Sequence, residues 1–139
     1  MSIDLSAHHE MVGSGFVCAA SCEDPSLESL SETELGFFEQ NGYVKGGRVL
    51  DDAQVEILRL ELSTFLDPSH DGNDLWYEYN SNESTGKDQV LFHALGAWRI
   101  TPGFHDLLWH LPWLSRASQL LNGAVRFWHD QLFCKPAEH

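Results

Sequence analysis

The sequence has 139 residues, with 8 Lys+Arg against 21 Asp+Glu, a formal charge of −13, and 42% hydrophobic residues that include five Trp. That length and apolar share are enough for one domain with a buried core and exclude wholesale disorder. The acidic balance argues against nucleic acid and anionic membrane surfaces as partners, and the apolar runs are too short to span a bilayer.

The charge is uneven. No Lys or Arg precedes Lys45, whereas Asp4, Glu10, Glu23, Asp24, Glu28, Glu32, Glu34 and Glu39 do. Residues 1–30 mix Ser, Gly, Ala and acids without a helical or strand period, so they are expected to form an acidic flexible tail outside the core. The start, MSIDLSAHHEM, has neither a basic nor an apolar leader region. With three Cys, an odd and small number, reduced thiols in a cytoplasmic protein are the expectation.

The first element is predicted at Ser31, where Ser31-Glu32-Thr33-Glu34 matches the S-x-x-E capping box. Leu35, Phe37 and Phe38 give that helix an apolar face, and Asn41-Gly42 stops it. Tyr43-Val44 and Val49-Leu50 around Lys45-Gly46-Gly47-Arg48 predict a short strand or bent hairpin. A second helix starts at Asp51-Asp52, carries Val55, Leu58, Leu62 and Phe65/Leu66 at spacings of three and four, and stops at Asp67-Pro68.

Residues 69–88 are polar and turn-rich around Leu75-Trp76-Tyr77 and Tyr79, which predicts a long loop with one anchored strand, a kind of segment that is often functional. Residues 89–100 begin as a strand and break at Gly96. Thr101-Pro102 opens a helix with Thr as N-cap; it is interrupted near Leu111-Pro112 and resumes to Asn122-Gly123. Ala124 to Lys135 reads as a final strand closed by Pro136, which gives an α+β order without repeats.

Most chemical signals have a plain structural counterpart. His8, His9, Glu10, Cys18 and Cys22 could hold zinc, but they lie in the acidic segment rather than in paired knuckles, so a spectator segment is the preferred reading and a tail metal site its rival. Gly13-Ser14-Gly15 has no strand before it and is no phosphate loop. Asn82-Glu83-Ser84 fits the glycosylation pattern and is read as silent. His105 and His110 are five apart on a helix, about 500° of rotation, so they should not share a metal. Trp98, Trp109 and Trp113 are read as packing rather than a ligand cage.

The last strand is different. It places Phe127, His129, Gln131, Phe133 and Lys135 on one face, where the polar groups must be solvated or satisfied. That face is either open to solvent or lines a polar cavity.

FFEQNGYV, the helix start DDAQ, LPWLSRASQLLNG and above all AVRFWHDQLFCKP resemble the N-terminal half of the phytanoyl-CoA dioxygenase family, over about residues 35–136. The resemblance implies the N-terminal helices and first strands of a double-stranded β-helix, a jelly-roll oxygenase fold whose barrel is incomplete here. It also implies Fe(II) and 2-oxoglutarate as cofactors of the complete enzyme, which couples decarboxylation of 2-oxoglutarate to hydroxylation of a small organic substrate. In the family an H-x-D pair and a distal His hold iron, and a late Arg pairs with the co-substrate.

No H-x-D occurs in this sequence. His70-Asp71, His105-Asp106 and His129-Asp130 are adjacent pairs, and His8-His9-Glu10 lies in the acidic segment. Residues 31–139 are therefore expected to be an N-terminal portion that is inactive alone and binds neither cofactor tightly. By resemblance, Gln131 is the first candidate for a contact to 2-oxoglutarate or a metal-bound water. Lys135 is the second, as a positive charge at the pocket mouth or a structural residue, and His129 the third. Some relatives supply a co-substrate Lys from the strand before the paired helices, but residues 89–100 contain none. The rival function is a catalytically inactive binding or scaffold protein of the same origin. Against it stands a last strand with an unpaired edge, through which self-association is the further partner expectation.

Overall fold

The computed structural model describes residues 3–17, 29–85 and 91–135. These contain four α-helices, α1 (Glu32–Asn41), α2 (Asp52–Phe65), α3 (Pro102–Asp106) and α4 (Leu111–Leu120), and three strands, β1 (Glu78–Asn80), β2 (Phe92–Leu95) and β3 (Leu132–Cys134). The fold is thus α+β. Its sheet is small, open and antiparallel in the order β1-β2-β3, so β1 and β3 are both edges. No described helix is long and apolar enough to cross a membrane.

Local signals set the helix ends. Ser31 and Glu34 close a reciprocal capping box at α1, Asp51 and Gln54 do the same at α2, and Gly42 ends α1 at φ 77°. The expected break between α3 and α4 falls at His110, with Pro112 in the first turn of α4, and Asn122 turns the chain at φ 48°. Gly96, at φ 111°, stops β2 because the left-handed region cannot continue a strand.

The core lies between the sheet and α2 with α3. Phe92 and Ala94 of β2 and Leu132 and Cys134 of β3 point at it, and Phe65 of α2 is fully buried at its centre. The Phe65 ring packs 4.8 Å from Trp76 and 5.4 Å from Phe104. Burying one such side chain contributes about 2–3 kcal/mol. α1 packs on α4, where the Gln119 side chain accepts the Leu30 amide at 2.8 Å.

Three expectations change. Residues 43–50 form no strand, because their carbonyls bond side chains instead of a ladder: Val49 to His110 Nε2 at 2.6 Å, Arg48 to Arg116 at 3.3 Å, and Leu50 to Arg48 at 2.5 Å. The last strand shrinks from 124–135 to Leu132–Cys134, because four-residue β2 offers ladder partners only through Phe92 to Ala94. Residues 3–17 do not stand outside the core: Phe16 is 2% exposed, and the Asp106 carboxylate accepts the Val12 and Gly13 amides at 2.8 and 2.7 Å. Residues 18–28, with Cys18 and Cys22, lie outside the described residues.

Candidate functional site

β2 reads Phe-His-Ala-Leu, and its alternation sends Phe92 and Ala94 to the core and His93 to the opposite sheet face. His93 is nevertheless buried, at 6% exposure. Register supplies its cover. Asn80 of β1 and Phe133 of β3 are its cross-strand partners, and the Phe133 ring lies parallel to the imidazole at 4.5 Å and 4°.

Both imidazole nitrogens have partners. Nε2 lies 2.9 Å from Gln131 Nε2, and Nδ1 lies 2.5 Å from Glu83 Oε1. As the Gln131 amide is placed, it donates to Nε2, so Nδ1 carries the proton donated to Glu83. Asn80 Nδ2 donates to Glu78 at 2.9 Å and to Glu83 at 3.3 Å, joining two exposed carboxylates. Glu78, Glu83 and His93 bring their ligand atoms within 4.8 Å of one another.

Of the three residues expected from sequence, Gln131 alone meets this cluster. His129 and Lys135 are exposed; the His129 ring faces Trp128 at 6.2 Å, and neither side chain hydrogen-bonds to the cluster. Glu78, Glu83 and His93 were missed. The available signal was a histidine inside the apolar run VLFHAL, a polar group that a buried strand must satisfy. Glu83 sits in the Asn82-Glu83-Ser84 sequence, where Asn82 Oδ1 accepts the Ser84 amide at 3.0 Å and bends the chain toward β2.

The adjacent His-Asp pairs have structural work. Asp106 is 1% exposed and, besides the Val12 and Gly13 amides, meets His105 Nδ1 at 3.0 Å, while His105 Nε2 donates to the His8 carbonyl at 3.3 Å. Asp130 accepts the Gly96 and Trp98 amides at 2.7 and 2.9 Å. His70 Nδ1 accepts the Gly72 amide at 3.0 Å. His110 is engaged apart from His105: it binds the Val49 carbonyl and meets the Phe16 ring edge-on.

Trp98 and Trp109 do more than fill the core. With Leu108, Val125, Phe127 and His9 they line a cavity of about 500 Å³. Their indole nitrogens are turned out of solvent reach, so the cavity wall they offer is ring carbon. Trp113 lies at the surface and donates its indole N–H to the Leu107 carbonyl at 2.9 Å.

No protein-family model matches this chain, and no curated protein matches it.

Proposed function

We propose that this chain is the N-terminal portion of an Fe(II)- and 2-oxoglutarate-dependent oxygenase of the phytanoyl-CoA dioxygenase kind, acting on a small organic substrate in the cytoplasm. The observation that carries the reading is the position of Gln131, on the sheet face turned away from the helical core and hydrogen-bonded to His93. A polar face of this kind, on a sheet with β1 and β3 at its edges among the described residues, is compatible with one wall of a larger barrel. Resemblance in HDQLFCKP supplies the rest.

The described residues do not fit the iron. A 2-His-1-carboxylate set needs two imidazoles at one point, whereas Glu78, Glu83 and His93 offer one imidazole and two carboxylates. The His-Asp pairs already described are engaged by backbone amides and carbonyls. Iron ligation in this reading belongs to residues outside this chain, and the chain alone does no oxygenase chemistry.

The second reading is an inactive binding or scaffold protein. One observation favours it: residues 3–17 close over the helical layer and bury Phe16, so part of the core is completed from the chain's own start. One experiment separates the two. The 139-residue chain, incubated with Fe(II), 2-oxoglutarate and ascorbate, is expected to form no succinate, and a chain extended through an H-x-D and a distal His is expected to form it. Succinate from the short chain overturns the reading that this portion is inactive alone, and none from the extended one overturns the oxygenase reading. A compact monomer with protected β1 and β3 amides in hydrogen exchange would support the scaffold.

A further inference from the structure

We infer that Glu78, Glu83 and His93 form a binding site for one divalent transition-metal ion of the zinc type, separate from any oxygenase iron. The site does not rest on the oxygenase reading. Its donor set comes from three places that only the fold joins: Glu78 from β1, Glu83 from the loop after it, and His93 from β2.

Distance favours it. Zinc bonds of about 2.0–2.1 Å place tetrahedral ligands about 3.4 Å apart, and here all three ligand atoms already lie within 4.8 Å of one another. The 2.5 Å approach of His93 Nδ1 to Glu83 is a hydrogen-bond distance, which widens when a metal replaces the shared proton. The Glu83 side chain is 34% exposed and free to make that movement, while the 8% exposed His93 stays fixed under Phe133.

Charge favours it as well. Two carboxylates converge on one imidazole, and among the described residues no Lys or Arg forms an ion pair with either. Asn80 bridges them with a neutral amide, so among the described residues neither carboxylate has a Lys or Arg partner. A divalent cation neutralises both.

Gln131 is suited to the outer shell. Metal at Nδ1 requires the proton on Nε2, and a ligating histidine normally donates that proton to a fixed acceptor. Gln131 stands 2.9 Å from Nε2 and, by turning its amide, presents oxygen instead of nitrogen. The residue therefore serves both states of the ring. An imidazole ligand disfavours calcium and magnesium, which take all-oxygen shells, and carboxylates disfavour copper(I), so the set suits a divalent first-row transition ion, with zinc the probe of choice. Exposed Glu78 and Glu83 leave the solvent side open for water as the remaining ligand.

The test is titration of the metal-free full chain with Zn²⁺ against a chromophoric chelator, with Co²⁺ absorption as a second readout. One equivalent is expected to bind. Glu78→Gln and Glu83→Gln, both at exposed positions, should each weaken it at least tenfold with unchanged circular dichroism. A variant carrying His8→Ala, His9→Ala, Cys18→Ser and Cys22→Ser should bind as before, and the Co²⁺ spectrum should lack thiolate charge-transfer bands. Failure of the wild-type chain to bind one equivalent overturns the proposal. So does retention of affinity in both Glu variants, or thiolate bands with loss of binding in the fourfold variant, which assigns the metal to the N-terminal residues.

Discussion

Arg99 grips Asp4 at two points, with Nη2 at 2.5 Å from Oδ2 and Nε at 3.3 Å from Oδ1, across 95 residues of sequence. The same guanidinium donates to the Leu75 carbonyl at 2.7 Å and covers the Tyr77 ring at 4.5 Å. One arginine thus ties the start of the chain, the loop before β1 and the turn after β2 together.

The hydrogen bonds from Arg99 hold the Asp4 carboxyl well below the usual carboxylate range, against the opposing effect of burial, and the backbone and hydroxyl of Ser6 add to the lowering. A folded pKa below the unfolded value of about 3.9 stabilises the protein above that value, and the contribution is lost as pH falls toward the folded pKa. Asp4→Asn should therefore flatten the loss of stability between about pH 4 and pH 2. At pH 7 it should cost about 0.5–1 kcal/mol, as for a partly exposed ion pair. Urea unfolding across that pH range measures both, and a slope equal to wild type would refute the assignment.

Glu61 of α2 caps α3 from outside. Its carboxylate accepts the Thr101 hydroxyl at 2.7 Å and the Gly103 and Phe104 amides at 2.8 and 3.1 Å. A Cβ on Gly103 would come 2.6 Å from Glu61 Oε2, so the approach needs glycine. Glu61→Ala leaves those donors unmet and should destabilise by about 2–3 kcal/mol, with Glu61→Gln intermediate because one oxygen remains. Thermal unfolding gives the ranking.

Asp106 fastens residues 12 and 13, so Asp106→Asn should release the N-terminal segment before it unfolds the sheet. The amide can accept from one of the two backbone donors but turns an NH₂ toward the other, at a cost of about 1–3 kcal/mol. Hydrogen exchange should quicken at Val12 and Gly13 while β2 amides stay protected. Equal deprotection of both would show that the segment and the sheet open together.

The local grammar of the chain was legible because each device closes within four residues. Ser31 with Glu34, Asp51 with Gln54, Gly42 after α1, and Pro112 at the start of α4 carry their partners or their φ preference in the adjacent sequence. Thr101 marked the start of α3 correctly, yet the hydrogen bonds that cap it come from Glu61, forty residues earlier. The α+β order was equally readable.

Tertiary structure decided the rest. Composition makes residues 3–17 look like solvated chain, and distant partners fasten them to the rest, Asp106 through the Val12 and Gly13 amides and Arg99 through Asp4. The cluster at His93 depends on strand register, since a one-residue slip would turn His93 into the core and Ala94 toward Gln131. No local pattern encodes which residues lie opposite one another. The sequence by itself determined where helices start and stop, because those energies are short-range. Which carboxylates meet which imidazole was settled by pairing and burial across the chain, where the cost of an unsatisfied polar group is felt only once the core has closed.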